Sequence, residues 1–129
     1  MVAIVVRGGR FLVIRRSDRV VAPRAYCFPG GGIEGDESDQ QALVREVREE
    51  LNVTVRPLVR LWQSVTPWGV QLSWWHSELP DNAQPDPNPT EVESVHWCTP
   101  EEMARLEGLL ESNRDFLRAL KDGKIDLAP

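Results

Sequence analysis

The sequence predicts an α/β fold of the α+β kind, an α/β/α sandwich in which a mixed β-sheet is packed between helices. The first observation is composition, because 129 residues with 41% hydrophobic and 27% charged content are typical of one globular domain, here 1–129. The second is a series of short apolar runs bounded by turn signals. The third is that strand-like and helix-like segments alternate in groups along the chain.

The N-terminal region predicts a β-hairpin. Two apolar runs, Ala3–Val6 and Phe11–Ile14, are separated by Arg-Gly-Gly-Arg, and a Gly-Gly pair between such runs is a hairpin signal. The polar segment 15–25 predicts a loop, and the apolar piece 26–28 ends in one proline and three glycines. These glycines are compatible with a flexible connection, and equally with close approach of the backbone to a ligand or an ion.

The strongest helical signal lies between Ser38 and Asn52. Ser38 and Gln41 form a capping-box pattern, and a periodic run from Asp39 to Leu51 follows. Asn52 stands where the chain must leave the helix, and asparagine tolerates the left-handed conformation that is common there. The pattern predicts a helix over 39–51.

The following segments predict three more strands and a loop. Segments 53–63 and 70–79 are β-rich, and Pro57 in the first of them marks an edge position or a bulge. Pro80–Pro89 contains four prolines among polar residues and predicts an exposed loop. Segment 92–98 predicts the strand that comes after this loop.

Two helices are predicted at the C-terminal end. Thr99 caps the first of them, with Pro100 at its first position and Glu102 completing a second capping box. Ser112 starts the last helix, and Gly123 stops it.

Charge and cysteine content limit the partners that we expect. The net charge of −5 argues against a polymeric nucleic-acid partner, which favours basic patches. No run reaches the length of a membrane span and no signal-peptide layout is present, so we expect a cytoplasmic protein with no membrane partner. Cys27 and Cys98 are too few for a disulfide framework. With His76 and His96 they fit no zinc-finger spacing, which leaves zinc as a minor alternative.

Three glutamates crowd one side of the predicted helix. Glu46, Glu49 and Glu50 occupy an arc beside an apolar arc, with residues placed about 100° apart; the apolar arc consists of Leu43, Val44, Val47 and Leu51. Like charges three or four residues apart repel by roughly 0.2–0.5 kcal/mol per pair. A solvated acidic face is one interpretation. A bound divalent cation, which would turn the repulsion into affinity, is the other.

The segment from Gly31 to Val53 resembles the Nudix box of the Nudix hydrolase family. The matching positions are Gly31, Glu37, Arg45, Glu46, Val47, Glu49, Glu50 and Val53. Asn52 stands in place of the usual glycine, and Asp36 replaces the glycine that commonly precedes Glu37. The resemblance implies a Nudix-type fold and a Mg²⁺-dependent pyrophosphohydrolase, which cleaves a nucleoside diphosphate linked to another moiety by attack of water at phosphorus.

The resemblance also implies roles for the box residues. The three helical glutamates are expected to bind Mg²⁺, or Mn²⁺ in its place, with the carbonyl of Gly31 as a further ligand. Oxygen donors are those that these hard cations prefer. Glu37 and Arg45 are expected to orient the loop against the helix. Arg45 is also a candidate substrate contact, and an ordinary i,i+4 pair with Glu49 is the alternative interpretation of it.

The general base and the walls of the substrate site are less well defined. The base can come from the box helix or from a later glutamate, for which Glu91 is the best candidate and Glu93 the runner-up. Either can instead be a charged edge-strand residue. Trp74 and Trp75 face opposite sides of a strand, so that one can pack in the core while the other stacks on a nucleobase.

The expected substrate is a small nucleotide-type molecule. Nucleoside triphosphates, nucleotide sugars and dinucleoside polyphosphates all remain open, as does the choice between a monomer and a homodimer. The rival interpretation is a non-catalytic Nudix-like module that senses a nucleotide or regulates a partner. Such a module is expected to have lost box carboxylates, and all of them are present in this chain.

Overall fold

The computed structural model describes residues 1–127. Within them lie seven strands and three helices, in the order β1 (Val2–Ile4), β2 (Val6–Arg7), β3 (Arg10–Arg16), β4 (Tyr26–Cys27), α1 (Asp39–Leu51), β5 (Arg56–Val65), β6 (Gln71–Glu78), β7 (Val92–Cys98), α2 (Pro100–Ala104) and α3 (Glu111–Lys121). This combination of sheets and helices confirms the predicted α+β class. None of these helices is both long enough and apolar enough to cross a membrane.

The strands form two sheets. In the first, β6 lies between β1 and β5, parallel to β1 and antiparallel to β5, so this sheet is mixed. In the second, β3 pairs antiparallel with β2, β4 and β7. The run predicted as one strand, Ala3–Val6, is divided at Val5 because its two halves pair with different sheets. The predicted hairpin is confirmed: Gly8 and Gly9, with φ of 59° and 75°, form the turn between β2 and β3.

Two clusters of buried side chains form the core. Alternate residues of β3 belong to different clusters, as expected for a strand whose successive side chains point to opposite faces. One cluster joins β3 to α1 through Leu12, Ile14, Leu43, Val47 and Leu51. The other joins β3 to α3 through Phe11, Val13, Phe116 and Ala119. The helices α1 and α3 therefore lie on opposite faces of β3, which gives the layering of a sandwich.

Helix α1 begins and ends as predicted. Both hydrogen bonds of the capping box between Ser38 and Gln41 form, and Asn52 ends the helix in the left-handed region with φ of 56°. The buried face differs from the predicted apolar arc, because Glu50 is buried on it whereas Val44 is only half-buried. A carboxyl group thus belongs to the core-facing side of this helix.

The elements after α1 follow the predictions with small shifts. Strand β5 begins only at Arg56, and the register shifts between Pro57 and Val59, so that the proline marks both an edge strand and a bulge. The capping box of Thr99 and Glu102 forms at α2. Helix α3 begins one residue before Ser112, where no side chain caps it.

The proline-rich loop at 80–89 is hydrogen-bonded to the rest of the fold. Its residues are mostly exposed and have no regular structure, as predicted. However, Asp86 and Asn88 bond to the C-terminal end of α1, and Ser17 bonds to the backbone of Thr90 and Glu91. The loop therefore carries Glu91 to the same end of α1 that contains the last two glutamates of the box.

Candidate active site

A glycine-rich turn lies directly against α1. A Cβ atom at Gly31 would collide with the carboxylate of Glu46, and one at Gly30 would collide with the carbonyl of Met1. The N–H of Gly30 donates to Oε1 of Glu50 at 2.9 Å. The absence of side chains in this turn is therefore what allows its backbone to reach two carboxylates of the helix.

Glu50 is a buried carboxyl group, with a residue exposure of 6%. Burial raises its pKa to about 8, against the hydrogen bond from Gly30, and the negative charges of Glu46 and Glu91 act in the same direction as burial. Charged groups are seldom buried without a partner of opposite charge. Glu50 is thus a buried acid with one amide donor and two like charges nearby, and the positive charge of Arg16 only partly offsets them.

Glu46 and Glu91 share the environment of Glu50. Burial raises the pKa of Glu46 above its usual value, and the charges of Glu49 and Glu91 add to this effect. The charge of Glu91 adds to the rise in the pKa values of both Glu46 and Glu50. The backbone turn that carries Glu91 bonds to Asn88, which in turn bonds to the end of α1, so this later glutamate lies near that end of the helix.

Arg45 is the centre of an ion-pair network. Its guanidinium grips Glu37 with two bonds, Nε to Oε2 at 2.7 Å and Nη2 to Oε1 at 2.9 Å. It also donates to Glu46 at 2.9 Å, to the carbonyl of Gly32 at 2.9 Å, and to Glu49 at 3.4 Å. These bonds raise the pKa of Arg45 above its usual value, whereas the hydrogen bond from Arg45 lowers the pKa of Glu37.

The network matches what an orienting role requires. A fork-to-carboxylate pair fixes geometry as well as charge. All three guanidinium nitrogens of Arg45 bond to protein acceptors, which favours orientation of the loop over contact with a substrate. The i,i+4 contact with Glu49 exists beside the pair with Glu37, so the two interpretations of Arg45 are not exclusive.

The donor chemistry of the site fits a hard divalent cation, but the donors do not converge. No group of three or more histidine, cysteine, aspartate or glutamate side chains in residues 1–127 is arranged to hold a metal ion. Glu46 turns to Arg45, Glu50 turns to Gly30, and the carbonyl of Gly31 accepts a bond of 2.7 Å from the amino group of Met1. Binding of a cation therefore requires these glutamates to turn from their present partners.

A cavity of about 400 Å³ adjoins the glycine-rich turn. Arg16, Cys27, Leu72 and Asn113 are among the residues that line it, together with the turn itself. The guanidinium of Arg16 donates a hydrogen bond to the carbonyl of Val21 at 2.7 Å. Burial raises the pKa of the neighbouring Cys27 thiol to about 11. The cavity is thus lined by the backbone of the turn, by polar side chains such as Arg16 and Asn113, and by apolar side chains such as Leu72.

Neither of the two predicted tryptophans lines this cavity. Trp74 is fully buried, stacked on Phe116 at 5.0 Å, and its N–H donates to Ser64 at 2.9 Å. The prediction that Trp74 contacts the substrate is therefore wrong for this structure, because no face of the ring is accessible. Trp75 points to the opposite side, as predicted, and packs half-buried against the cluster that contains α1.

The structure adds Asn113 to the candidate residues. Its side chain is buried, and its Oδ1 accepts a bond of 2.8 Å from the N–H of Phe28. The sequence carried a signal for it, since Asn113 lies three residues before Phe116 on the apolar side of the last helix. The zinc alternative gains no support, because Cys27 and Cys98 belong to different core clusters.

Known proteins resemble this chain along most of its length. A family model described as NUDIX domain matches residues 1–120. The CTP pyrophosphohydrolase of Escherichia coli is 37% identical over 107 residues, which are 78% of this chain and 74% of that protein. A Nudix hydrolase of Deinococcus radiodurans is 36% identical over 105 residues, and the match covers 74% of this chain but 58% of that protein. The crystal structure of a MutT protein from Methanosarcina mazei has the same fold, with a TM-score of 0.79 at 24% identity, over 95% of this chain and 91% of that one.

Proposed function

The chain belongs to the Nudix family, whose members similar to it are hydrolases of phosphorus-containing anhydrides, and we propose that it cleaves nucleoside diphosphate derivatives with the help of Mg²⁺. The observation that carries the proposal is Glu50, a buried acid beside Glu46 and Glu91 that forms no ion pair within residues 1–127, where the charge of Arg16 is the one positive charge acting on its pKa. A hard cation bound beside Glu50 would lower the free-energy cost of burying its negative charge.

Each acidic residue has a proposed task. Glu46, Glu49 and Glu50 hold the metal ion, which neutralises the pyrophosphate and lowers the pKa of water when it is bound. Glu91 accepts the proton of the attacking water, because the turn that carries it is bonded through Asn88 to the end of the helix that holds Glu49 and Glu50. Glu37 and Arg45 keep the loop fixed to the helix, and positioning supplies most of the rate in phosphoryl chemistry.

The cavity beside the glycine-rich turn is proposed to hold the nucleoside. Its volume of about 400 Å³ falls within the range of roughly 300–1,000 Å³ that is usual for small-molecule sites. Since one of the similar proteins is a CTP pyrophosphohydrolase, nucleoside triphosphates are the first class to test. Nucleotide sugars and dinucleoside polyphosphates are the second and third.

A substrate panel tests the proposal. Each compound is incubated with Mg²⁺, with Mn²⁺ and with EDTA, products are separated by ion exchange, and ¹⁸O-labelled water identifies the phosphorus that is attacked. We expect metal-dependent cleavage of at least one class into a nucleoside monophosphate and the remaining phosphorylated moiety. Tight nucleotide binding without cleavage would instead support the sensing module, and absence of any metal-induced rise in Tm would contradict the metal site.

Replacing Gly31 with alanine is expected to weaken Mg²⁺ binding more than it weakens the fold. The added Cβ collides with the carboxylate of Glu46, which lies at the end of a flexible side chain and can move aside. The free energy of unfolding should therefore change by less than about 1 kcal/mol, whereas the Mg²⁺ concentration for half-maximal turnover should rise. Gly32→Ala is the matched control, because a Cβ there meets nothing within 4 Å. Equal effects of the two substitutions would contradict the prediction.

Replacing Arg45 with lysine is expected to lower kcat by about 10–100-fold, the usual effect of losing an outer partner of a metal site. An ammonium group cannot make two parallel bonds to Glu37 and still reach the carbonyl of Gly32. Steady-state kinetics at saturating Mg²⁺ measure this, with Arg48→Lys as the control on the same helix, since the guanidinium of Arg48 donates to Thr54, which is outside the network. A rise in KM at unchanged kcat would instead assign Arg45 to substrate binding.

A further inference from the structure

The C-terminal end of α1 is completed by residues outside the helix. The last four carbonyls of an α-helix have no partner within it. In α1 each of them has a donor: Asn52 N–H for Arg48 at 3.0 Å, Asn88 Nδ2 for Glu49 at 3.1 Å, Asn88 N–H for Glu50 at 2.8 Å, and Asp86 N–H for Leu51 at 2.8 Å. The proline-rich loop thus replaces the next turn of the helix.

Asn88 supplies two of these four donors, and both go to the carbonyls of metal-site candidates. The acceptor atoms of Asn88 bond to the residues that follow it in the chain. The carbonyl of Asn88 accepts the N–H of Glu91 at 2.9 Å and that of Val92 at 2.8 Å, and its Oδ1 accepts the N–H of Thr90 at 3.3 Å. One residue therefore bonds to the helix through its donors and to the turn that carries Glu91 through its acceptors.

The residues on either side of Asn88 favour its contacts with both the helix and the turn. Asn88 stands between Pro87 and Pro89. Proline fixes its own φ and restricts the residue before it to extended conformations, so the loop loses little conformational freedom when it binds α1. A carboxamide carries a donor and an acceptor on one short stem, whereas aspartate would turn a second oxygen towards the carbonyl of Glu49.

We propose that Asn88 is a positioning residue that holds Glu91 in a fixed place relative to Glu49 and Glu50. The proposal rests on the proposed function, because it gives Glu91 a task at the ends of those side chains. Asn88 is outside the set of residues that line the cavity proposed for the nucleoside. Ser17, which is buried, holds the same turn from the other side: its N–H donates to the carbonyl of Glu91 at 3.0 Å.

A double-mutant cycle tests the proposal in the full chain. Asn88→Ala, Glu91→Gln and the double variant are compared in kcat and KM at saturating Mg²⁺, with the nucleotide that the panel selects. Asn52→Gly is the matched control. It removes another side-chain bond between the helix end and the loop, from Asn52 Nδ2 to the carbonyl of Asp86 at 2.8 Å, and glycine keeps the left-handed conformation.

We expect Asn88→Ala to lower kcat by about 10–100-fold with KM nearly unchanged, as for other second-layer partners of metal sites. In the Glu91→Gln background the same substitution should add less than about twofold, because coupled residues are not additive. Equal losses in both backgrounds, or a loss of the same size for Asn52→Gly, would overturn the positioning role. If Asn88→Ala does not fold, Asn88→Asp replaces it, since it keeps the acceptor for Thr90 and loses the donor to Glu49.

A readout without turnover separates this proposal from the proposed function. Amide hydrogen exchange of the metal-free protein should quicken at Thr90 in Asn88→Ala, because the Thr90 N–H loses its side-chain acceptor, and remain unchanged there in Asn52→Gly. Unchanged exchange at Thr90 would overturn the positioning role even in an active enzyme. Quickened exchange in a protein that cleaves no nucleotide would support the contact and overturn only the proposed function.

Discussion

Glu49→Gln is expected to reduce Mg²⁺-dependent turnover by about 10²–10³-fold, the usual loss when one electrostatic stabiliser of a transition state is removed. The side chain of Glu49 is 46% exposed, and it has only long contacts of 3.4 Å with Arg45. Its loss should therefore leave the fold of the metal-free protein nearly unchanged. An amide oxygen can still face the cation, but the negative charge that balances it is gone.

The measurement combines kinetics with thermal unfolding. Turnover is followed over a range of Mg²⁺ concentrations, and Tm is determined with EDTA and with Mg²⁺. Glu107→Gln, which changes an exposed glutamate outside the site, is the control with the same change of charge. A Glu49→Gln enzyme that retains most of the wild-type turnover would contradict the assignment of Glu49, and a large fall in Tm with EDTA would show that its role is structural.

The parts of the site that the sequence predicted are those set by local chemistry. The capping box of Ser38, the left-handed Asn52 and the spacing of the glutamates lie within one helix and its two ends, so that short-range rules decide them. The burial of Glu50 was not predictable in this way. It depends on the backbone of Gly30, which reaches the helix only because the turn lacks side chains.

Long-range pairing explains the other differences. The division of the first strand at Val5 follows from β1 pairing with β6 and β2 pairing with β3, and no local signal marks that choice. Alternation correctly separated Trp74 from Trp75, but it could not tell which face would be covered by α3. Prolines predicted an exposed loop at 80–89, whereas the contacts of Asn88 with the end of α1 exist only in the folded chain.

Glu50→Gln is expected to make the metal-free protein more stable at pH 8 while it abolishes Mg²⁺-dependent turnover. The pKa of Glu50 is raised from 4.5 to about 8 by burial. Between these values the unfolded chain has lost the proton that the folded chain still binds, so a rise in pH favours unfolding. The stability of the wild type should fall through this window by up to about 1.4 kcal/mol per pH unit from this group alone. Glutamine has no charge to bury, and its oxygen can still accept the Gly30 N–H.

The difference between wild type and variant reports Glu50 together with its electrostatic coupling to Glu46, whose pKa is also raised. Glu37 and Glu102, whose pKa values are lowered, lose their stabilising effect only as pH falls below the usual range of a carboxyl group, outside this window. Denaturant unfolding with EDTA from pH 4.5 to pH 8 should give two curves that meet at the acid end and diverge as pH rises. Parallel curves would contradict the burial of an ionisable Glu50.

Added Mg²⁺ should stabilise the wild type most at pH 8 and the variant least, since only a carboxylate gains a partner there. Such a result would mean that the buried carboxylate of Glu50 destabilises the metal-free protein. A bound cation would then compensate for the free energy lost by burying that charge.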